Sequence, residues 1–177
     1  MNEKIIVKKC FTFSLYAGAF IGVLTGILTA LEVLLYRIVY SPSIEEEIFI
    51  LACIIAPITE EILKPIGLIL CRRHAKHLHL KDWVVMGALA GVGFAIFENA
   101  IYYMSALTRG GELFAIATVL IRTFTTLPMH VLTSSISGLG LGFWFSRGKY
   151  IVLPGFYVAA IAIHSAFNFA IIGTYLA

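Results

Sequence analysis

The stretch at 56–67, APITEEILKPIG, constrains this chain more than any other. It sets Glu60, Glu61 and Lys64, flanked by Pro57 and Pro65, inside an otherwise apolar run at 48–70. A run of that length can cross a bilayer, whose hydrocarbon core takes about 20 residues of helix. A charged side chain at that depth costs on the order of 2.5–3.5 kcal/mol on insertion scales. Such residues persist where they face a protein interior or a wet cavity. An i,i+4 ion pair between Glu60 and Lys64 is the plain structural explanation. It needs one carboxylate, and the sequence supplies two.

Composition sets the class. Of 177 residues 60% are hydrophobic and only 13% charged, against about 25% charged in a soluble domain. The chain is an integral membrane protein, expected as one all-α domain over 1–177. Apolar runs fall at 11–36, 48–70, 83–106, 113–145 and 150–175. Membrane β-strands alternate over about 10 residues and are excluded. The first run is too long for a cleavable signal and reads as a retained anchor. The fourth, 33 residues long, would reach about 50 Å as one helix, too long for a single untilted span. Pro128 divides it, predicting a short dipping helix at 113–127 and a true span at 128–145. A polytopic bundle of about five spans results, with six as the alternative.

Charge between the runs orients the bundle. Lys4, Lys8 and Lys9 precede the first run, Arg72, Arg73, Lys76 and Lys81 follow the second, and Arg147 and Lys149 follow the fourth. The alternate loops hold Arg37 and Arg109 alone. The excess of basic residues on one side predicts a cytoplasmic N-terminus and outward loops at 41–47 and 107–112 in the cell membrane. Gly18, Gly22 and Gly26, Gly87 and Gly91, and Gly138 and Gly142 repeat at four-residue spacing, a close-packing signal in lipid. Cys10, Cys53 and Cys71 lack disulfide or metal spacing and are expected to pack as small apolar groups. His74, His77 and His79 read as a solvated, headgroup-facing loop.

Polar residues at membrane depth are harder to explain away. Counted at 1.5 Å per residue from the cytoplasmic ends, Glu60 and Glu61 lie about 15 Å up, Glu98 about 22 Å, His164 about 21 Å and His130 about 24 Å. Four apolar segments, 48–70, 83–106, 113–145 and 150–175, thus bring three carboxylates and two histidines towards one level. Tyr102 shares a helix face with Glu98 and can cap it. Asn168 shares one with His164, and Arg122, Thr126, His130 and Ser134 step every four residues. Hydrolysis is chemistry this set can perform. A carboxylate in apolar surroundings is made more basic, which suits a general base. Adjacent glutamates point about 100° apart, so one can hold water while the other orients Lys64 or a histidine. Histidine and an asparagine amide can donate to a developing oxyanion. No Gly-x-Ser-x-Gly and no His-Glu-x-x-His occurs, which disfavours serine and ordinary zincin mechanisms. A catalytic site requires Glu60 or Glu61 within roughly 8 Å of His130 or His164, close enough for a bridging water.

The motifs EExxK (Glu60, Glu61, Lys64), FExxxY (Phe97, Glu98, Tyr102), His130 with Arg122 upstream, and HxxxN (His164, Asn168) occur in that order. In this the chain resembles the PrsW family of glutamic-type intramembrane proteases, which shares motifs with the CAAX prenyl endopeptidases and bacteriocin-immunity-associated proteins. The resemblance covers 57–169. It implies proteolysis of a single-span membrane protein, an anti-sigma factor being the family's known kind of substrate. It implies further that Glu60 and Glu61 activate water and that His130, His164 and Asn168 complete the site, supported by Lys64, Glu98, Tyr102 and Arg122. No obligatory metal is expected, because adjacent glutamates cannot both aim at one ion. Zinc is the alternative, with Glu60, Glu61, His130 and His164 as candidate ligands. The partners expected are the bilayer and a membrane-anchored substrate, with no nucleic acid. A non-catalytic scaffold or immunity protein is the alternative, and a proton-coupled transporter a more distant one.

Overall fold

The computed structural model describes residues 3–176, with side chains described from 3 to 172. Helix α1 runs Glu3–Tyr40, about 57 Å long at 1.5 Å per residue. Ser43 then starts α2 (Ile44–Ile50) with a capping box: its hydroxyl accepts from the Glu46 N–H, and its own N–H donates to the Glu46 carboxylate. Arg37 bridges the turn to Glu47 at 2.6 Å and 2.8 Å. Those bonds hold the Glu47 carboxyl below the usual carboxylate range.

The 48–70 run is not one helix. A π turn at Leu51–Ile55, α3 at Ala56–Leu63, α4 at Ile66–Ile69 and a 3-10 segment at Leu70–His77 divide it. The prolines account for two of the breaks. Pro57 has no N–H to give the turn before it, and Pro65 has none for the Glu61 carbonyl one turn back.

Helix α5 spans Leu80–Phe124 with one non-helical residue, Gly111 at φ 77° and ψ −173°. A straight helix would hold Glu98 and Arg122 about 36 Å apart, yet they form an ion pair of 2.7 Å. The chain therefore folds back at Gly111. The outward loop expected at 107–112 is thus a single-glycine break, at a φ that only glycine adopts without strain. The second break also moves. Thr125, at φ −115° and ψ −65°, separates α5 from α6 (Thr126–Arg147). Pro128 lies in the first turn of α6, where its missing N–H would have no partner anyway. Arg122 beside Glu98, Gly91 beside His130, Gly87 beside Ser134 and Gly138 beside Trp83 keep one antiparallel register across the Thr125 kink. The expected dipping helix and span are two parts of one return leg.

Gly148, left-handed at φ 67°, ends α6, and α7 follows at Leu153–Leu176. The contacts Gly18 to Ala90 and Gly22 to Phe97 lay α1 parallel to α5. Gly67 against Ala17 and Thr59 against Glu32 lay the 44–77 segment antiparallel to α1. Five alternating passes result. Three stretches among the described residues are long and apolar enough to cross a membrane: Glu3–Tyr40, Leu80–Arg147 and Tyr150–Ile172. The exterior is apolar, with Phe20, Leu35, Ile38, Leu113, Phe124 and Ile151 exposed. Polar groups collect inside, the arrangement that lipid demands.

One end is closed by an apolar cluster of Ile6, Cys10, Leu68, Cys71, Trp83 and Leu141. All three cysteines are free and buried. Trp83 donates to the Ser146 hydroxyl at 2.9 Å, and Ser146 donates to the Leu78 carbonyl at 3.1 Å, tying the start of α5 to the end of α6. The expected histidine loop is used structurally. His79 and Asp82 cap α5, His77 reaches Glu3 at 3.3 Å, and His74 accepts from Arg73.

Candidate active site

Above that cluster, Gly91 fixes where the polar centre forms. A Cβ at Gly91 would collide with the His130 carbonyl, so its absence lets α6 lie against α5 and brings His130 into the interior. Glu61, Lys64 and His130 are fully buried. One oxygen of Glu61 accepts three hydrogen bonds: from Lys64 Nζ at 2.7 Å, His164 Nδ1 at 2.8 Å and Thr133 Oγ1 at 3.1 Å. Glu61, not Glu60, is therefore the closer partner of Lys64. Glu60 Oε2 stands 3.3 Å from Nζ, within ion-pair range but without hydrogen-bond alignment. The Lys64 ammonium also lies 4.2 Å above the Phe94 ring, a cation–π contact.

The partners fix both histidine tautomers. An ionised carboxylate only accepts, so His164 carries its proton on Nδ1 and keeps a lone pair on Nε2. An ammonium only donates, so His130 accepts from Lys64 through Nδ1 at 2.8 Å and donates from Nε2 to Glu98 at 2.8 Å. Arg122 completes the line, donating to Glu98 at 2.7 Å and to Asn99 at 3.0 Å. Tyr102 does not cap Glu98 as expected. The partners of that carboxylate are Arg122 and His130, and the Arg122 guanidinium lies 3.5 Å over the Tyr102 ring.

Asn168 has a backbone task. The Ala56 N–H bonds to Leu51, one residue further back than in an α-helix. In that π pattern the Ala52 carbonyl would look to residue 57, which is proline and has no N–H. Asn168 Nδ2 donates to this orphaned carbonyl at 2.7 Å. One amide hydrogen of Asn168 is left for another acceptor.

Of the two adjacent glutamates, only Glu60 lines the adjoining cavity of about 640 Å³, with Glu98, Tyr102, Asn168 and Phe94. Its Oε2 is buried without a hydrogen-bond partner. Glu60, His130 and His164 each present a ligand atom, all within 4.8 Å of one another. Two imidazoles and a carboxylate are a zinc-type donor set, and the Glu61 carboxylate behind His164 is the usual outer-shell support for a ligating histidine. An ion drawing on His130 would take the lone pair that Lys64 now uses. Both glutamates need not aim at one ion, since this trio uses only Glu60.

The structure thus gathers Glu60, Glu61, Lys64, His130 and His164 at the centre, with Glu98, Arg122 and Tyr102 on one flank and Asn168 beside the π turn. Sequence reasoning missed Thr133, a helical turn from His130, and Asn99, next to Glu98; either could have been found as a neutral polar residue on a motif-bearing face. It also missed Glu32 inside the first apolar run, which accepts from Thr59 at 2.8 Å.

Fold and site together define an all-helical membrane protein with a buried carboxylate–histidine–lysine centre open to a cavity. The family model described as PrsW family intramembrane metalloprotease matches residues 8–176. The chain belongs to that family, a family of intramembrane proteases. No curated protein and no solved structure matches it.

Proposed function

We propose that this protein is an intramembrane endopeptidase that cuts a single-span membrane protein, of the anti-sigma-factor kind, with Glu60 as the base that activates water. The carrying observation is that Glu60 alone of the pair lines the cavity, with its Oε2 free of hydrogen bonds, whereas the equally unpaired Oε2 of Glu61 does not reach it. As the water oxygen bonds to the scissile carbonyl carbon, Glu60 takes its proton. That proton passes to the amide nitrogen as the C–N bond breaks. Glu61 acts on the water only indirectly: it holds Lys64 and His164 in place. The free amide hydrogen of Asn168, which lines the cavity, is the donor available to a developing oxyanion.

Glu60, His130 and His164 would hold a metal ion, and Glu60 would then serve as a ligand in place of the base. When bound, such an ion supplies Lewis-acid polarisation of a carbonyl and makes water more acidic. In the membrane we place the five passes as five spans with the N-terminus in the cytoplasm, following the basic residues at one end. The test is cleavage of a labelled transmembrane peptide by purified protein in detergent, with Glu60→Gln in parallel. Cleavage by the parent and none by the variant supports the reading; equal cleavage by both overturns it.

A further inference from the structure

The cavity beside Glu60 does not end at the reacting groups. Its wall on α5 is a single helix face that includes Glu98, Tyr102, Ser105 and Arg109, and its wall on α1 is small up to Val33, with Gly22, Thr25, Gly26, Thr29 and Ala30. From Glu98 to Arg109 the face rises about 16 Å. The groove therefore carries carboxylates at one end and a guanidinium at the other. Arg109 is exposed, and no described residue hydrogen-bonds or ion-pairs with its side chain. Arg122, the other arginine on this helix, is fully engaged by Glu98, Asn99 and the Tyr102 ring.

We infer that Arg109 is a specificity residue, selecting substrates with an aspartate or glutamate at a set distance from the cleaved bond. This rests on the protease reading above. An occupant that reaches Glu60 lies along the same groove as Arg109. The small residues of α1 leave room for a polypeptide backbone to lie against them. A peptide bond must be extended to be attacked, and at about 3.3 Å per residue the 16 Å rise corresponds to about five residues. A lipid fits less well. With its phosphate on Arg109 its acyl chain could lie against Leu51, Phe94 and Ile101 but would end beside the carboxylates of Glu98 and Glu60, an apolar tail against charge.

The probes are synthetic single-span peptides in matched pairs, with one Asp or one Lys moved stepwise through the flank. Binding is measured first, on full-length Glu60→Gln protein in nanodiscs, so that the peptides stay whole. At the favoured position the Asp peptide should bind roughly two- to fivefold tighter than its Lys twin, the scale of an exposed ion pair. Arg109→Glu should invert the preference and Arg109→Gln should erase it, with melting profiles confirming that both variants fold. Equal binding of the twins, or a preference that Arg109→Glu leaves unchanged, overturns the inference. So does an Arg109→Glu effect confined to retention of a fluorescent phosphatidylglycerol, which would assign the arginine to a headgroup. Cleavage by the Glu60-intact protein is read separately, with new termini expected about five residues from the Asp. Charge-selective binding without any cleavage would remove the protease reading and leave the groove assignment standing.

Discussion

Glu61 and His164, 103 positions apart in the chain, meet at 2.8 Å between Oε1 and Nδ1. The same oxygen holds Lys64 at 2.7 Å. The first contact joins α3 to α7 and the second closes the first turn of the EExxK motif, so one buried carboxylate fixes the geometry of the whole centre. The two glutamates, though adjacent, have different tasks.

Glu61→Gln should therefore destabilise the protein as well as inactivate it. It leaves Lys64 with only the more distant Glu60, and breaking a buried pair costs on the order of 3–5 kcal/mol. Thermal melting in detergent should show a clear drop. Adding Lys64→Met should restore much of the melting temperature without restoring activity. An unchanged melting temperature for Glu61→Gln would contradict the assignment.

Gly91→Ala tests the helix contact beneath the site. Its Cβ would strike the His130 carbonyl and Val131, so α6 must shift. A loss of about 1–3 kcal/mol is expected from overpacking, together with impaired turnover because His130 moves from Glu98. Gly155→Ala, where an added Cβ meets nothing within 4 Å, should leave melting and turnover nearly unchanged. Equal behaviour of the two variants would sink the argument.

Metal content follows from the trio of Glu60, His130 and His164. Protein purified without chelators should carry about one zinc-class ion per chain, as a single trio of ligands allows, and His164→Ala should lose it. Asn168→Ala, which removes no ligand, should keep it. Metal-free parent protein with full activity would rule out an ion at this site in the reaction.

Orientation can be read with thiol labels in a variant lacking Cys10, Cys53 and Cys71. Cysteine at Ser43 should react with an impermeant reagent in intact cells, and cysteine at Lys76 should not. The reverse pattern would invert the topology.

The polar centre was legible in the sequence because lipid makes each buried charge costly. A glutamate or histidine in an apolar run has to find an interior partner, so Glu60, Glu61, Glu98, His130 and His164 stood out. The glycine rows gave helix packing for the same reason, since Gly91 and Gly138 sit where backbones touch. The turns were less legible. Hydropathy cannot distinguish a six-residue loop at 107–112 from a helix broken at Gly111 alone, because φ at one glycine leaves no compositional trace. Pro128 drew the expected break three residues too late, since proline in a first helical turn marks a start and not an interruption. The division of labour within the pair was also hidden. Side chains 100° apart must differ in environment, but only the positions of His164 and Thr133 show that Glu61 is the held one.

The central claim is that Glu60 supplies the base. Glu60→Gln keeps shape and hydrogen-bonding capacity while removing charge and basicity, and Lys64 retains Glu61 at 2.7 Å. The decisive measurement pairs turnover of a labelled transmembrane peptide with thermal melting, on parent and variant in the same detergent. The account predicts a loss of roughly 10²–10⁴-fold in rate at a nearly unchanged melting temperature. A variant that melts well below the parent yet still cleaves in whatever remains folded would contradict it.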